Sequence, residues 1–488
     1  MILSKRFLSI VKGDALSWFF PALYFYLLFF PVVLLLYFIV QPKFQNAILL
    51  IASIFFYASG EPKFVFVMLA SVFLNYCFAL LIVHPKHQTV PWRRFWLVCA
   101  TISNLGLLFL FKYLAFSLNI LNTVLHCNLP VPTIKLPIGI SFFTFQALSY
   151  VIDVYRGNSG AQRNLFSLAL YVSFFPQLIA GPIVRYNTIA EQIDHRIVTK
   201  EKFSDGVQRF IIGFSKKVIL ANNLALVAEN AFSPQGEKTV LLLWVGSLAY
   251  SLQIFFDFCG YSDMAIGLGK MFGFTFEENF NYPYIAASIT DFWHRWHISL
   301  SQWFRDYVYF PLGGSRVSHA RHIFNLFAVW FLTGLWHGAN YTFIVWGMIY
   351  FLMQILEKYF IKPHSLGTIS STAWRVATLL VVNFNWILFN SSDIFAAKSY
   401  IAGMLGCHGL PLLNAELIGL LREYGAFLLF GILFSTPIAK AYRTRINTTA
   451  FGQKALPILL PVCYILVFCW AASFVVLGAH NPFIYFNF

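Results

Sequence analysis

Charge is what this chain most lacks. Of its 488 residues only 11% are Asp, Glu, Lys or Arg, less than half the share in an ordinary soluble domain. That is too little to cover the surface of a soluble fold this long. Hydrophobic residues make up 59%, which excludes a disordered chain. The seven cysteines (77, 99, 127, 259, 407, 463 and 469) are scattered, mostly within apolar runs, and form no CxxC pair. The sequence therefore offers no disulfide framework and no structural zinc site. The G-x-S-x-G, H-E-x-x-H and G-x-x-x-x-G-K-[ST] motifs are missing, which argues against a serine hydrolase, a zincin and a P-loop ATPase. No internal repeat or low-complexity segment is visible.

What the chain has is apolar length. Aromatic residues reach 19%, with 56 Phe, and the mean hydropathy is +0.69. The apolar runs are far longer than a barrel strand, so the expected class is an all-α polytopic membrane protein. At about 20 apolar residues per span the chain accommodates about ten to twelve transmembrane helices, in one integral-membrane domain over 1–488 with membrane lipids as its surroundings. The net charge of +15 reads as Lys and Arg holding cytoplasmic loops inside, not as a nucleic-acid surface. Lys5, Arg6 and Lys12 precede a first span, Phe19–Val40, too long for a cleaved signal peptide. Phe95–Phe111 and Tyr113–Leu125 read as two segments broken at Lys112. Val240–Phe256 and Tyr261–Phe274 read as two more. In the basic stretch 185–217, Phe203, Val207, Phe210, Ile211, Phe214 and Val218 fall on one helical face. The pattern predicts an amphipathic helix lying in the cytoplasmic interface. The glycines around Gly267, Gly269 and Gly273 predict close helix packing.

Polar residues in apolar surroundings concentrate in two windows, Asp291–Tyr307 and Thr333–Asn340. His337 sits between long apolar runs, where an ionisable side chain is expensive and marks a functional site. Imidazole is also the group best matched to proton transfer near neutral pH. Gly338 and Ala339 suggest room for a ligand beside the ring. His294 and His297, three residues apart, share a helical face, but without a third ligand they make a weak metal pair, and no metal is expected. Asp291, Arg295, Arg305 and Asp306 are expected to form one ion network. His319 and His322 are expected to be solvated. The turn Gly313-Gly314-Ser315-Arg316 sets backbone N–H groups beside a cation and suits a phosphate or a plain helix end equally well.

The strings "FDFCGYSDMAIGLGKMFG", "NFNYPYIAASITDFWHRWHISLSQWFRDYVYFPLGGSR", "FLTGLWHGANYTFIVWG" and "NPFIYFNF" together resemble the membrane-bound O-acyltransferase superfamily, in its bacterial alginate O-acetyltransferase-like branch. "FYASGEPKFVFVMLAS" and "LPIGISFFTFQALSYVIDVYRG" agree, so the likeness runs from about Phe19 to Phe488. It implies helices around a central tunnel, with His337 as the catalytic histidine and His297 as the second polar active-site residue. Trp296, Ser299, Trp336 and Asn340 are then expected to line the substrate site, with Gly313, Gly314 and Arg316 toward the donor. The chain has His294 where the family usually has Arg. The implied activity is transfer of an acyl group, acetyl in this branch, from a cytoplasmic thioester (acetyl-CoA or a carrier-bound acyl) toward an exported polysaccharide. No bound cofactor is needed. A periplasmic acyltransferase partner and the bacterial inner membrane are further implications. D-alanyl or longer-chain transfer, or a translocation subunit without chemistry, are the alternatives.

Overall fold

Inside hydrocarbon a helix satisfies its backbone groups without outside help. The computed structural model describes residues 25–86 and 89–477, and these residues form helices and no strand. The residues before Phe25, which include the first six of the expected first span, and the ending "NPFIYFNF" lie outside them.

In chain order the helices are α1 (Phe30–Ile39), α2 (Pro42–Gly60), α3 (Val65–Ile82), α4 (Val90–Leu125), α5 (Ile140–Arg156), α6 (Leu165–Ser173) and α7 (Tyr186–Asp194). Then follow α8 (Lys200–Phe232), α9 (Val240–Met271), α10 (Ile289–Arg295), α11 (Ile298–Phe304), α12 (His319–His337) and α13 (Tyr341–Ile361). The chain finishes with α14 (Thr368–Asn390), α15 (Ile394–Met404), α16 (Ala415–Phe434), α17 (Ile438–Asn447) and α18 (Ala450–Val476). Among the described residues, eight helices are long and apolar enough to cross a membrane: α3, α4, α8, α9, α13, α14, α16 and α18. The chain is thus a multi-pass membrane protein, although eight such helices fall short of the expected ten to twelve.

Three segments differ from the sequence reading. Lys112 does not break a span, because α4 continues past it through a π-helical turn at Phe109–Tyr113. Val240–Met271 is one 32-residue helix, not two. The basic stretch does not lie flat in the interface. From Lys200 it runs on as a 33-residue helix, α8, whose most apolar window is 72% buried. Its glycine-bearing, basic side is covered by α9, because glycines let the two backbones touch, while Phe203, Val207 and Ile211 of the apolar stripe turn toward α18. A Cβ on Gly213 would stand 2.5 Å from the Gly260 carbonyl oxygen, and one on Gly267 would stand 2.6 Å from the Phe210 nitrogen. The same contact brings cations to carboxylates. Lys217 pairs with buried Asp257, and Lys216 and Arg209 pair with Asp263 at 2.7 and 2.6 Å.

Long-range hydrogen bonds sort the helix ends into two layers. Arg93 donates to the Tyr155 carbonyl, Arg156 to that of Asp306, and Arg185 pairs with Asp306. Arg305, Arg316, Arg321 and Lys358 belong to the same layer. In the other layer Lys135 pairs with Glu61, and the start of α9 meets residues 411–412 through Val240 and Leu241. The Arg-rich layer is the cytoplasmic one by the bias that keeps short basic loops inside. In a variant whose sole cysteine is the natural, exposed Cys407, an impermeant maleimide should label intact cells. A sole cysteine at Ser318 should be labelled only after permeabilisation. The reverse pattern would invert the orientation.

Candidate active site

The last carbonyls of a helix have no partner within it. At the end of α12 they are met from α4, more than two hundred residues away in sequence. Lys112 Nζ donates to the carbonyl oxygens of Trp336 (2.6 Å) and His337 (3.2 Å), and Tyr113 Oη donates to that of Leu335 (2.7 Å). A cation at the negative end of the helix dipole is also electrostatically favourable. This clamp holds His337, the final residue of α12, in place. Its ring meets Trp346 (4.8 Å between centroids), Trp336 (5.0 Å) and Phe389 (5.1 Å) edge-on. Gly338 leaves no room for a ligand, contrary to expectation. A Cβ there would fall 2.3 Å from the Phe343 ring, so the glycine serves close packing.

His297 enters by a different device. It is fully buried and precedes α11 in a left-handed conformation (φ 43°) rare for a residue with a side chain. Asn279 holds it there. The Asn279 carbonyl oxygen accepts from Ile298 N (3.0 Å), and its side-chain Oδ1 accepts from Ser299 N (3.2 Å) and Ser299 Oγ (2.9 Å). Asn279 Nδ2 donates to Ser262 Oγ of α9 (3.1 Å), which fixes the amide orientation and leaves Oδ1 facing His297 Nδ1 at 3.2 Å. His297 Nδ1 therefore carries the hydrogen and donates, and Nε2 keeps its lone pair. Nε2 has no hydrogen-bond partner among the described residues.

Trp336 joins the two histidines, its ring centroid 5.8 Å from His297 and 5.0 Å from His337. On the outer side a narrow cavity of about 70 Å³ is lined by Lys112, the loop and helix start at 136–142, Ile179, Trp336 and His337. On the cytoplasmic side lies a cavity of about 420 Å³ whose polar lining includes Thr290, His294, Gln302, Arg305, His322 and Lys358. Trp293 and Trp330 also line it, and Trp293 packs on Trp346, the ring that touches His337.

Of the residues expected at the site, His297, Trp336 and His337 come together. Trp296 lies elsewhere, buried between Phe280, Phe292 and Trp386. Asn340 caps α13 through Thr342 N (3.1 Å) and donates to the Ser392 carbonyl. Ser299 is held by Asn279 and accepts from Ile183 N (3.0 Å). Gly313 and Gly314 adopt positive φ in a turn at the cytoplasmic rim, where Asn325 donates to the Gly314 carbonyl, and Arg316 is exposed. His294 and His297 share no face, because the left-handed residue separates α10 from α11: His294 is exposed in the cytoplasmic cavity and His297 is buried. The expected ion network divides into two clusters, Asp291 with Arg295, and Asp306 with Arg305 and Arg185. His322 is not solvated but buried, bonded to the hydroxyls of Tyr309 (2.9 Å) and Tyr359 (2.7 Å). Lys112, Asn279 and Glu357 went unrecognised. Glu357 is buried and caps α10 by accepting from Ile289 N, Thr290 N and Thr290 Oγ1. The one sequence cue was the charge of Lys112 and Glu357 inside apolar runs.

The chain is an all-helical membrane protein in which two buried histidines pack on one tryptophan, with an outer cavity that reaches His337. Residues 158–396 match the membrane-bound O-acyltransferase family. The chain is 38% identical to a protein of Azotobacter vinelandii named "Probable alginate O-acetylase AlgI", over 95% of this chain and 99% of that one. It is 33% identical to the peptidoglycan O-acetyltransferase of Helicobacter pylori, over 94% and 95%. With the teichoic acid D-alanyltransferase of Bacillus subtilis it shares 31% identity over 54% of this chain and 69% of that one. The chain belongs to the membrane-bound O-acyltransferase family and is a membrane O-acyltransferase.

Two substitutions test the supports of the site. Lys112→Met strips two buried carbonyls of their partner, a loss of about 1–3 kcal/mol. It should lower both kcat, about tenfold or more, and thermal stability. Asn279→Ala should lower kcat by a similar factor with KM nearly unchanged, whereas Asn279→Asp, which keeps the acceptor, should retain most activity. Equal loss in both Asn279 variants would show that the acceptor at Nδ1 does not matter.

Proposed function

We propose that this chain takes an acetyl group from a cytoplasmic thioester, acetyl-CoA or a carrier-bound acyl, and passes it toward a polysaccharide outside the bacterial inner membrane, directly or through a periplasmic partner. The observation that carries the reading is the position of the Trp336-bridged histidines between the outer and the cytoplasmic cavity. The thioester enters the wider cytoplasmic cavity, where His294, Arg305 and Lys358 suit the phosphate that such donors carry. The acceptor hydroxyl approaches from the outer side. His337 takes the hydroxyl proton as the oxygen attacks the thioester carbonyl, and the thiolate leaves with a proton returned from the imidazolium. A general base typically contributes about 10²–10⁴-fold in rate. His297 directs Nε2 toward the reacting groups and orients the acceptor. The turn at Gly313–Arg316 sits at the rim of the donor cavity and guides entry.

Acetyl is favoured over D-alanyl because the relatives named for O-acetylation match about nineteen-twentieths of this chain, against about half for the D-alanyltransferase. Membranes containing the protein should consume acetyl-CoA in the presence of an acceptor glycan. His337→Ala should reduce transfer by at least about 10²-fold while the protein still inserts and stays monodisperse, and His297→Ala should also be severely impaired. His294→Ala should keep most activity. Near-normal acetylation by His337→Ala would remove the reading, and transfer of D-alanine but not acetyl would replace the acyl group.

A further inference from the structure

A crevice of about 800 Å³ opens between α8, α17 and α18, at the cytoplasmic end of the bundle and away from the histidines. Its walls have two characters. Along α18, Leu456, Pro457, Leu460, Pro461 and Ile465 give an apolar wall, and the two prolines stand one turn apart inside that helix. On α17, Lys440, Arg443, Thr444 and Asn447 follow at i, i+3, i+4 and i+7, so one helical face looks into the crevice. Ser204 and Gln208 of α8 face them.

The cations are not spoken for. The Lys440 ammonium has no hydrogen bond or ion pair among the described residues, and the Arg443 guanidinium makes one long contact, 3.4 Å to Tyr464 Oη. Among the described residues no carboxylate lines the crevice. Depth in the membrane decides the rest. Phe203 and Ser204 stand at the cytoplasmic start of α8, at headgroup level, while Ile465 lies toward the bilayer interior. A crevice that is apolar at hydrocarbon depth is filled by hydrocarbon, because water there would leave its hydrogen bonds unmet. A rim of two cations at the anionic cytoplasmic leaflet selects a negative headgroup. The volume falls within the usual range for small-molecule sites.

We propose that this crevice is a binding site for one anionic glycerophospholipid of the cytoplasmic leaflet. Lys440 and Arg443 hold the phosphate, Ser204, Gln208 and Asn447 contact the polar headgroup, and an acyl chain lies along Leu456, Leu460 and Ile465. The lipid fills the cytoplasmic end of the seam between α17–α18 and α8, whose deeper part is closed by the Phe214–Phe468 ring contact, and so fastens the C-terminal helices to the bundle.

The test uses the full chain in detergent. Phosphatidylglycerol added at low mole fraction should raise the melting temperature, and phosphatidylcholine or inorganic phosphate should not. Native mass spectrometry should show one bound phosphatidylglycerol per chain. The double variant Lys440→Gln/Arg443→Gln should bind phosphatidylglycerol at least roughly tenfold more weakly, since each cation near the surface contributes about 1 kcal/mol. Thr444→Trp, which fills the crevice and keeps both cations, should abolish binding, and together the two variants separate charge from space. Equal stabilisation by phosphatidylcholine, the same shift from inorganic phosphate alone, or unchanged phosphatidylglycerol binding in both variants would each overturn the assignment. So would protection of the crevice by a second copy of the chain in place of lipid.

Discussion

An unpaired carbonyl inside a membrane has no water to turn to, and the end of α12 faces that problem at the position where a histidine is held. Lys112 and Tyr113 solve it by bonding the last three carbonyls of the helix. Much of the site follows from that clamp. It fixes Trp336 and His337, and through Trp336 it relates them to His297. It also places an ammonium at the wall of the outer cavity. A methionine would match the length of the lysine but could not donate.

The same rule, that buried polar groups must be paired, explains the other unusual features of the region. Asn279 uses its main-chain oxygen and both ends of its side-chain amide, and in doing so holds a residue in a left-handed conformation. Glu357 caps α10 from α13. At the cytoplasmic rim, burial opposes the charge of Asp306, but its hydrogen bonds to Arg305 and Arg185 and their charges outweigh that and hold its carboxyl below the usual range. Each of these groups stiffens the frame around the histidines. The frame is therefore built from polar pairs across distant helices, while aromatic rings fill the space between them.

The two histidine windows were legible because ionisable side chains are rare in apolar runs, and the family likeness attached roles to them. Other features were misread for a common reason. Lys112 looked like the end of a span, since a charge in a hydrophobic run is ordinarily a boundary. A π-helical turn and two carbonyls on α12 accommodate it instead. The basic face of α8 looked interfacial because its periodicity is that of a helix half in water. The glycines of α8 and α9, of which the sequence pattern marks only Gly267 and Gly269 for close packing, allow a second helix to cover that face. Gly338 suggested open space, and Phe343 fills it.

By itself the sequence determined the class. Its scarcity of charge and length of apolar runs leave only a helical membrane bundle, because no other structure satisfies so much backbone away from water. It also determined which side chains are chemically conspicuous, His297 and His337 among them. The tertiary structure decided which of these meet. His294 and His297 are neighbours in sequence but part company, because one left-handed residue turns the chain between them. Lys112 and His337 are 225 residues apart but are joined by a hydrogen bond. Hydropathy and spacing describe a residue's own helix, whereas hydrogen-bond partners across helices depend on how those helices pack. The site is made of such partners.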